Sequence, residues 1–429
     1  MKTNRRQFIT RAVSGGLAAT VPLTSCSPND PGIDPDTLKD KYDKLDQILK
    51  QPVFRKEGFP SPVIIDTIEL LRYGNSFLCR VRSKDGATGM SVGHGSMRSL
   101  YPIFIHQVKP FFIDKDARDL DLILERVFIY KLNFRLSGLA LGIPLATLEF
   151  AILDMMGRIA GLSMGQLIGN IHHPEVEVYQ ATEYRDKPVE ESMDLIKRDV
   201  GENNARALKI KVGGLMFETE DLHAVAPPGR TETMIPLVRK TFGDDMVLYA
   251  DANGFYSVEE AIQAGRLLEE YNYQFFEEPV PFHWYEETKQ VVDSLSIPVA
   301  GGEQEFSLHG FRWLIANDGL QIVQPDVYYF GGMIRAMKVA LMAQAFGKSC
   351  TPHMSGGDLG FLYMMHFASA LPNAMPHHEF KGFRTNIEFE CLTSPLQSVN
   401  GVVKVPTGPG SGVDLDPDFV GKFQGILAD

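Results

Sequence analysis

Short apolar runs alternate with helical patterns from about residue 176 onward. The eight runs of β-type residues span 176–182, 207–212, 246–250, 274–276, 298–300, 321–323, 349–351 and 374–376. The segments between them show the apolar period of helices, for instance at 258–271, 334–346 and 359–371. Strands that alternate with helices predict an α/β fold with a parallel sheet, and eight of them predict a closed barrel.

The residues on either side of the predicted barrel carry different patterns. Residues 63–92 alternate apolar and polar positions like an antiparallel meander, with a turn at 84–86. Residues 144–168 form a long helical pattern with a proline at a suitable helix start. Residues 401–412 predict one strand followed by Gly/Pro-rich loops. The flanks therefore predict an α+β unit beside the barrel.

The chain divides into five predicted parts. In chain order these are a signal segment (1–25), a linker (26–60), an N-terminal capping domain (61–175), a barrel domain (176–380) and a C-terminal segment that returns to the capping domain (381–429). The linker is rich in Pro, Asp and Lys, with one helical pattern at 36–50, and we interpret it as a spacer.

The first 26 residues have the order of a targeting segment. Residues 4–9 (NRRQFI) fit a twin-arginine signal, a weakly apolar stretch follows at 12–23, and the Leu-Thr-Ser-Cys segment ending at Cys26 resembles a lipobox. The alternative is a basic leader that contains two arginines by chance. We expect export by the twin-arginine route to the periplasm or cell envelope, with a lipid anchor at Cys26 as the sole membrane attachment.

Composition and charge narrow the class of function. The formal net charge is −12, with 44% hydrophobic and 22% charged residues. The sequence contains no Lys/Arg-rich patch, so a small molecule is a better ligand than a nucleic acid. Beyond the leader, Cys79, Cys350 and Cys391 lack metal-binding spacing and predict buried thiols.

Polar and charged residues stand at the ends of the predicted strands. In a parallel barrel, residues just past the carboxyl ends of the strands meet at one mouth, where active sites form. Seven consecutive strand ends carry such residues. They include Lys209, Lys211, Asp251, Asn253, Glu277, Glu278, Glu303, Asp326, His353 and Glu379. This pattern predicts a polar site at the mouth.

Three of the carboxylates predict a metal site. Asp251, Glu277 and Glu303 follow successive strands at equal intervals of 26 residues, which places them at the same height around the mouth. Three close carboxylates repel one another, and a hard divalent cation relieves that repulsion. An all-oxygen set of ligands favours Mg²⁺. For any one of them the alternative is a helix cap or a surface acid, and Glu278 is a rival of Glu277 that the spacing disfavours.

The other polar residues predict two kinds of proton carrier. Lys209 and Lys211 have the same parity on one strand, so both point into the mouth. A cation and a second lysine nearby lower the pKa of a lysine towards the range of a base. Asp326 and His353 follow neighbouring strands, so an Asp–His hydrogen bond is feasible and would let the histidine act as base or acid. The alternatives are a structural salt bridge and a structural polar pair.

The combined pattern resembles the enolase superfamily, and within it the mandelate racemase subgroup, because of the Lys-x-Lys segment and the Asp/His pair. The matching segments are Lys-x-Lys at 209–211, Asp-x-Asn at 251–253, Glu-Glu-Pro at 277–279, Gly-Gly-Glu at 301–303, Asp326, Pro-His at 352–353 and Glu379. The resemblance runs from about residue 63 to the C-terminus. It implies a (β/α)7β modified TIM barrel with an α+β capping domain, Mg²⁺ as the cofactor, and a homo-oligomer.

The resemblance also implies how a carboxylate substrate is held. Asp251, Glu277 and Glu303 would bind Mg²⁺, which would hold the carboxylate of the substrate. Lys209 would help to hold that carboxylate, and Glu379 would hydrogen-bond one of its oxygens as negative charge builds there.

The same resemblance places a proton carrier on each face of the substrate. Lys211 would be the base on one face of the α-carbon, the Asp326–His353 pair would serve the other face, and Asn253 would contact a substrate hydroxyl. A dehydratase would use this machinery to remove the α-proton and expel a β-hydroxyl. A racemase would use it to reprotonate the α-carbon on the opposite face.

The expected reaction is dehydration of an acid sugar, an aldonate or aldarate, to a 2-keto-3-deoxy acid. Acid-sugar dehydratases are the commoner members that resemble this pattern, and Asn253 suits a polyol. One alternative is a racemase or epimerase of a 2-hydroxy acid. Another, from a different class, is an exported lipid-anchored binding protein without catalysis. Because every catalytic position is filled, an enzyme, either a hydro-lyase or a racemase, is favoured over the binding protein.

A few other residues carry weaker signals. His377 and His378 are expected to be satisfied by neighbours rather than to bind a ligand. The two glycines at 331–332 precede a helix and could hold a carboxylate or phosphate, but a two-glycine turn alone is a weak signal. His94 and Tyr73 fall in predicted loops of the first domain and are candidate substrate contacts.

Overall fold

An α+β capping domain and a parallel barrel make up the described chain. The structure, a computed structural model, describes residues 35–217, 226–357 and 359–426. The predicted signal segment (1–25) and the predicted anchor residue Cys26 lie outside these residues.

The capping domain joins a β-meander to a set of helices. Its strands β1 Ile65–Tyr73, β2 Ser76–Ser83 and β3 Thr88–Val92 pair antiparallel in chain order. Helix α1 Pro35–Leu49 precedes them, and the helices α2 Met97–Ile103, α3 Lys109–Phe112, α4 Leu120–Arg126, α5 Leu139–Ala160 and α6 Met164–Ile168 follow. The meander predicted at 63–92 and its turn at 84–86 are confirmed.

Helix α5 is the core of the capping domain, and residues 141–157 of it are buried. Among the described helices it is the one whose length and apolar composition would suit a membrane span, but 89% of its apolar window is buried inside the protein, as in a core helix. The single helix predicted at 144–168 is wrong. Helix α5 begins at Leu139 and ends before Gly161, whose φ of +67° reverses the chain. Ser163 then starts α6 with a capping box.

Eight parallel strands form the barrel, with a helix between each strand and the next. The strands are β4 Glu175–Ala181, β5 Ala207–Lys211, β6 Val247–Asp251, β7 Phe276–Glu277, β8 Val299–Gly301, β9 Ile322–Val323, β10 Ser349–Cys350 and β11 His378–Phe380. The helices are α7 Val189–Glu202, α8 Arg230–Phe242, α9 Val258–Glu270, α10 Tyr285–Ser294, α11 Leu308–Ala316, α12 Met333–Gln344 and α13 Gly360–Ser369. This order confirms the predicted α/β fold, a (β/α)7β modified TIM barrel with a capping domain.

The eighth strand closes the ring, but it lies further along the chain than predicted. The predicted position, 374–376, has one parallel bridge, between Ala374 and Cys350 of β10. The regular strand β11 follows it and pairs with β4. Pro376 has no N–H to donate, so regular pairing can begin only after it.

The N-terminal helix is docked on the outside of the barrel. Helix α1 packs against α11 and α12. Its Leu45 is fully buried, and its Asp46 forms an ion pair with Arg312 of α11 at 2.6 Å. The helix predicted at 36–50 is confirmed. The spacer predicted over 26–60 is wrong for the described part, because these contacts attach it to the barrel.

The C-terminal segment crosses from the barrel to the capping domain. Its elements are β12 Phe389–Glu390, β13 Val402–Lys404, β14 Asp414–Leu415, helix α14 Pro417–Val420 and β15 Gln424–Gly425. Strand β13 pairs with β4 of the barrel, β12 pairs with β14, and β15 pairs with β1 of the capping sheet. The described part of residues 381–429 therefore adds a strand to the capping sheet.

Aromatic side chains fill the barrel below its mouth. Tyr179, Tyr249 and Phe275 are buried there, and the rings of Tyr249 and Phe275 stack with centroids 4.2 Å apart. Layers of inward side chains fill parallel barrels in this way. This layer forms the floor beneath the polar side chains of the mouth.

Candidate active site

The register of the barrel sheet brings the first polar residues side by side. Lys211 of β5 pairs with Asp251 of β6, which pairs on its other side with Glu277 of β7. Side chains of directly paired residues lie on the same face of a sheet, so all three enter the mouth. Equal spacing in the sequence thus becomes equal height in the barrel.

The predicted carboxylate triad is assembled in the structure. Asp251, Glu277 and Glu303 are buried, and one oxygen of each lies within 4.8 Å of the others. Glu303 Oε2 is buried with no hydrogen-bond partner among the described residues, although His353 Nε2 lies 3.4 Å away. Burial and repulsion by Asp251 raise the pKa of Glu277 to about 8. Three buried carboxylates that repel one another, one of them with an oxygen that accepts no hydrogen bond, fit a hard divalent cation such as Mg²⁺.

Three neighbouring residues that could also bind a metal ion, Glu278, His377 and His378, are not part of the carboxylate cluster. Glu278 is buried next to Glu277, and burial raises its pKa well above the usual value. His377 Nδ1 contacts the hydroxyl of Tyr249 at 2.9 Å, and His378 Nδ1 contacts the hydroxyl of Thr351 at 3.1 Å. The two histidines are satisfied by neighbours, as predicted.

Both predicted lysines point into the mouth and contact the triad. Lys209 Nζ donates to the two carboxylate oxygens of Glu277 at 2.7 and 2.8 Å, and Lys211 Nζ donates to Asp251. Burial alone would raise the pKa of Asp251, but the two ammonium groups hold it well below its usual value. Burial alone would lower the pKa of Lys209, but the carboxylates of Glu277 and Glu379 raise it well above its usual value. The predicted lowering of a lysine pKa depends on a bound cation beside the lysines, so it stays a prediction.

The predicted Asp–His pair forms on the other side of the mouth. His353 Nδ1 donates to Asp326 Oδ2 at 2.8 Å, and its Nε2 lies 3.4 Å from Glu303 and 3.7 Å from Glu379. The other oxygen of Asp326 accepts the backbone N–H groups of residues 328–329, both at 2.8 Å. Although burial lowers it, the neighbouring carboxylates raise the pKa of His353 to about 9. The aspartate thus fixes the ring with Nε2 directed towards the triad.

Glu379 stands between the lysine side and the histidine side. Its Oε1 lies 3.6 Å from Lys209 Nζ, and its Oε2 accepts the backbone N–H of Met354 at 2.8 Å. Although burial raises it, Lys209 and Lys381 lower the pKa of Glu379 below its usual value. An ionised carboxylate only accepts hydrogen bonds, so the predicted hydrogen bond to a substrate carboxylate requires Glu379 to take up a proton.

Asn253 is engaged by protein groups on both ends of its amide. Its Oδ1 accepts from Lys211 Nζ at 2.9 Å and from the Arg185 guanidinium. Its Nδ2 donates to Glu303 Oε1 at 3.3 Å, and its backbone N–H donates to Asp251 Oδ1 at 2.8 Å. The side chain therefore fastens the lysine to the triad, and its contact with a substrate hydroxyl stays a prediction.

Four polar residues of the mouth are absent from the predicted site: Glu183, Arg185, Gln324 and Lys381. Gln324 Nε2 donates to Glu277 Oε2 at 2.7 Å. Lys381 Nζ lies 3.1 Å from Glu183 and 3.5 Å from Glu379. The parity of Lys381 with Glu379 on one strand is a sequence signal that could have found it. Glu183 and Arg185 follow strand β4, the one strand whose end was not among the seven predicted to carry polar residues.

One of the two predicted first-domain contacts lies beside the mouth. His94 Nε2 is 3.2 Å from the carbonyl oxygen of Ser355, in the loop after β10. Tyr73 belongs to β1 and packs against Phe419 and Phe423, with ring centroids 6.4 and 5.6 Å away. Its contact with a substrate stays a prediction.

Comparison with known proteins identifies the family that this fold and site define. The chain belongs to the enolase superfamily, because the model of the family described as "Enolase C-terminal domain-like" matches residues 191–419. The arabinonate dehydratase of Saccharolobus solfataricus is 25% identical over 337 residues, which cover 78% of this chain and 87% of that protein. The D-galactarolactone cycloisomerase of Agrobacterium fabrum is 28% identical over 357 residues, which cover 81% of this chain and 90% of that protein.

A solved structure has the same architecture. It is a mandelate racemase/muconate lactonizing protein from Paracoccus denitrificans, complexed with magnesium, which matches with a TM-score of 0.74 and 26% identity and covers 85% of this chain and 99% of that chain. The predicted superfamily is confirmed, and so is the prediction of an enzyme of the lyase or racemase type.

Proposed function

We propose that the protein is a Mg²⁺-dependent enzyme that removes the α-proton of an acid sugar, an aldonate or aldarate, and dehydrates it to a 2-keto-3-deoxy acid. The opposition of Lys211 and His353 across three buried carboxylates is the observation that carries the proposal. The names of two relatives, arabinonate dehydratase and D-galactarolactone cycloisomerase, support a sugar-derived substrate.

Charge that develops on the substrate carboxylate dominates the barrier, because a proton α to a carboxylate is weakly acidic. Asp251, Glu277 and Glu303 would hold the Mg²⁺, which when bound supplies positive charge against the carboxylate oxygens. Lys209 adds an ammonium group on the same side of the mouth, where it already contacts Glu277. Glu379, once protonated, donates a hydrogen bond to the oxygen on which charge builds.

Two proton transfers complete the dehydration. Lys211, acting from its neutral form, takes the α-proton on one face of the substrate. His353 gives a proton to the β-hydroxyl, so that the C–O bond breaks and water leaves. The resulting enol takes up a proton at the β-carbon and becomes the 2-keto-3-deoxy acid. Asp326 holds the imidazole in place and stabilises its charged form during the first transfer.

A second candidate reaction, racemisation or epimerisation of a 2-hydroxy acid, uses the same two proton carriers. The α-proton would leave to one of them and a proton would return from the other on the opposite face. This alternative is supported by the position of His353 Nε2, which faces the triad rather than the bulk solvent. It requires no β-hydroxyl on the substrate.

Incubation with Mg²⁺ and a panel of aldonic and aldaric acids in D₂O distinguishes the candidates. We expect a 2-keto product from at least one acid. Deuterium at the α-carbon without loss of substrate would identify a racemase instead. Binding of an acid with neither product nor deuterium would favour a binding protein. A Glu303→Gln variant serves as the control, because it removes one charge of the triad and should abolish both signals.

A further inference from the structure

Helix α5 of the capping domain lies against the loop after β9. Gly142 packs so closely that a Cβ atom at this position would lie 2.0 Å from the carbonyl oxygen of Tyr329. Two turns further along, the Glu149 carboxylate accepts the backbone N–H of Met333, the first residue of α12, at 2.6 Å. The two-glycine turn at 331–332 thus does precede a carboxylate site, but the carboxylate comes from the protein itself.

The connection after β3 holds the same region through polar contacts. Tyr328 Oη donates to the carbonyl of Val92 at 2.7 Å, and His94 Nε2 donates to the carbonyl of Ser355 at 3.2 Å. His94 Nδ1 accepts the N–H of Ser96 at 3.1 Å, so the ring hydrogen is on Nε2, as the donation requires. The His94 and Tyr328 rings are also in contact, with centroids 5.4 Å apart.

Ser355 connects His94 to the proton carrier on the histidine side. Its backbone N–H donates to Asp326 Oδ2 at 2.9 Å, and the same oxygen accepts from His353 Nδ1. A continuous series of hydrogen bonds therefore runs from the capping domain through Ser355 and Asp326 to the imidazole. Lys211, by contrast, takes its contacts from Asp251 and Asn253, which belong to the barrel.

We propose that His94 is a positioning residue for His353, a role that rests on the proposed function. By holding the carbonyl of Ser355, His94 restrains the residue whose own backbone N–H orients Asp326, and Asp326 in turn directs the imidazole. The capping domain thereby controls proton transfer from the histidine side and leaves proton abstraction by Lys211 to the barrel. Such control is effective because proton transfer depends steeply on donor–acceptor geometry.

Two measurements on the same reaction test the lysine side and the histidine side of the mouth separately. The α-deuterium exchange of the substrate in D₂O reports Lys211, and formation of the 2-keto product reports His353; a His353→Asn variant defines the product step that depends on the imidazole. We expect His94→Phe to slow product formation about tenfold and to leave exchange within about twofold, on the scale that small misplacements of catalytic groups produce. We expect His94→Gln to recover most of the product rate, because its amide nitrogen can donate to the same carbonyl.

A second variant keeps the test independent of the folding of His94→Phe. Tyr328→Phe removes the hydroxyl that contacts Val92 and should slow the same step without affecting exchange. Equal loss of both steps, or no loss of either, would overturn the positioning role of His94. Wild-type protein that gives neither exchange nor product with any acid would instead refute the proposed function, so the two failures are distinguishable.

Discussion

The two sides of the mouth hold their proton carriers in different ways. On the lysine side, Lys211 is the last residue of a strand, and its cross-strand partner Asp251 sets its position. On the histidine side, Asp326 and His353 lie in loops, and residues of the capping domain contact those loops. A strand residue is placed by the register of its sheet, whereas a loop residue is placed by whatever packs against it.

This difference indicates which part of the protein can vary without loss of proton abstraction. A change in the capping domain reaches the histidine side first, because the backbone of residues 328–329 holds Asp326 directly. The hydrogen bonds of Lys211 to Asp251 and Asn253 involve no residue of the capping domain. One fold can therefore keep the base that removes the proton and adjust the group that completes the reaction.

Replacement of each proton carrier should give the largest effect. We expect Lys211→Met and His353→Asn each to lower turnover by about 10²- to 10⁴-fold, the range of general acid–base catalysis. Lys211→Met should abolish α-deuterium exchange, whereas His353→Asn should retain exchange and lose product. NMR spectra of the substrate in D₂O measure both. A Lys197→Met variant, at a surface position of α7, should retain both signals. Loss of exchange in both active-site variants would show that the two sides do not act separately.

The pH dependence of stability tests the contact between α5 and the start of α12, which follows the loop after β9. Burial raises the pKa of Glu149 from 4.5 to about 8, against the two backbone N–H groups of α12 that lower it. Between these two pH values, Glu149 keeps its proton in the folded protein and loses it in the unfolded chain. This contribution to stability is fully present below about pH 4.5 and is lost as the pH rises towards 8.

Between about pH 4.5 and pH 8 the free energy of unfolding of the wild type should fall more than that of Glu149→Gln. We expect the difference between the two falls to be on the order of 3 kcal/mol. Urea denaturation at several pH values measures it. Glu202→Gln, at an exposed position of α7 on the lysine side, serves as the control and should follow the wild-type curve. Parallel curves for Glu149→Gln and the wild type would mean that this carboxyl does not change its protonation on folding.

The barrel and the triad could be predicted because both repeat along the sequence. Apolar strands alternate with helices, and Asp251, Glu277 and Glu303 recur at the same interval. The break at Gly161 could not be distinguished from a continuous helix, since single glycines are tolerated inside helical patterns. The docking of α1 could not be predicted because its composition is that of a linker. Leu45 is its one buried residue, and a single buried leucine gives no apolar pattern in the sequence.

The support of the histidine side could not be predicted from local patterns. Glu149 and Met333 are 184 residues apart in the chain, and neither stands at a strand end. The sequence predicts His94 as a candidate substrate contact but not as a support for the loop, because its partner is a backbone carbonyl that any residue type would supply. Strand-end reasoning finds side chains that converge on a mouth. It does not find the residues that hold a loop from outside the barrel.

A pair of glycine substitutions should give the smallest effect and compares the two sides directly. Both glycines lie in helices, where alanine is favoured by about 1 kcal/mol. At Gly201 of α7, beside the lysine side, an added Cβ has no described atom within 4 Å apart from its chain neighbours and the backbone of its own helix. We therefore expect Gly201→Ala to raise the free energy of unfolding by about 0.5–1 kcal/mol. At Gly142 the added Cβ would meet the carbonyl of Tyr329, so either α5 or the loop must shift.

We expect Gly142→Ala to lower the free energy of unfolding by about 1–3 kcal/mol, the usual effect of overpacking. Because the displaced loop carries Asp326, product formation should also slow relative to α-deuterium exchange, which depends on the other side. Thermal denaturation and the exchange assay measure the two effects on the same variant. If Gly142→Ala stabilised the protein as much as Gly201→Ala, the capping helix would not press on the loop. The asymmetry between the two sides would then have to arise within the barrel.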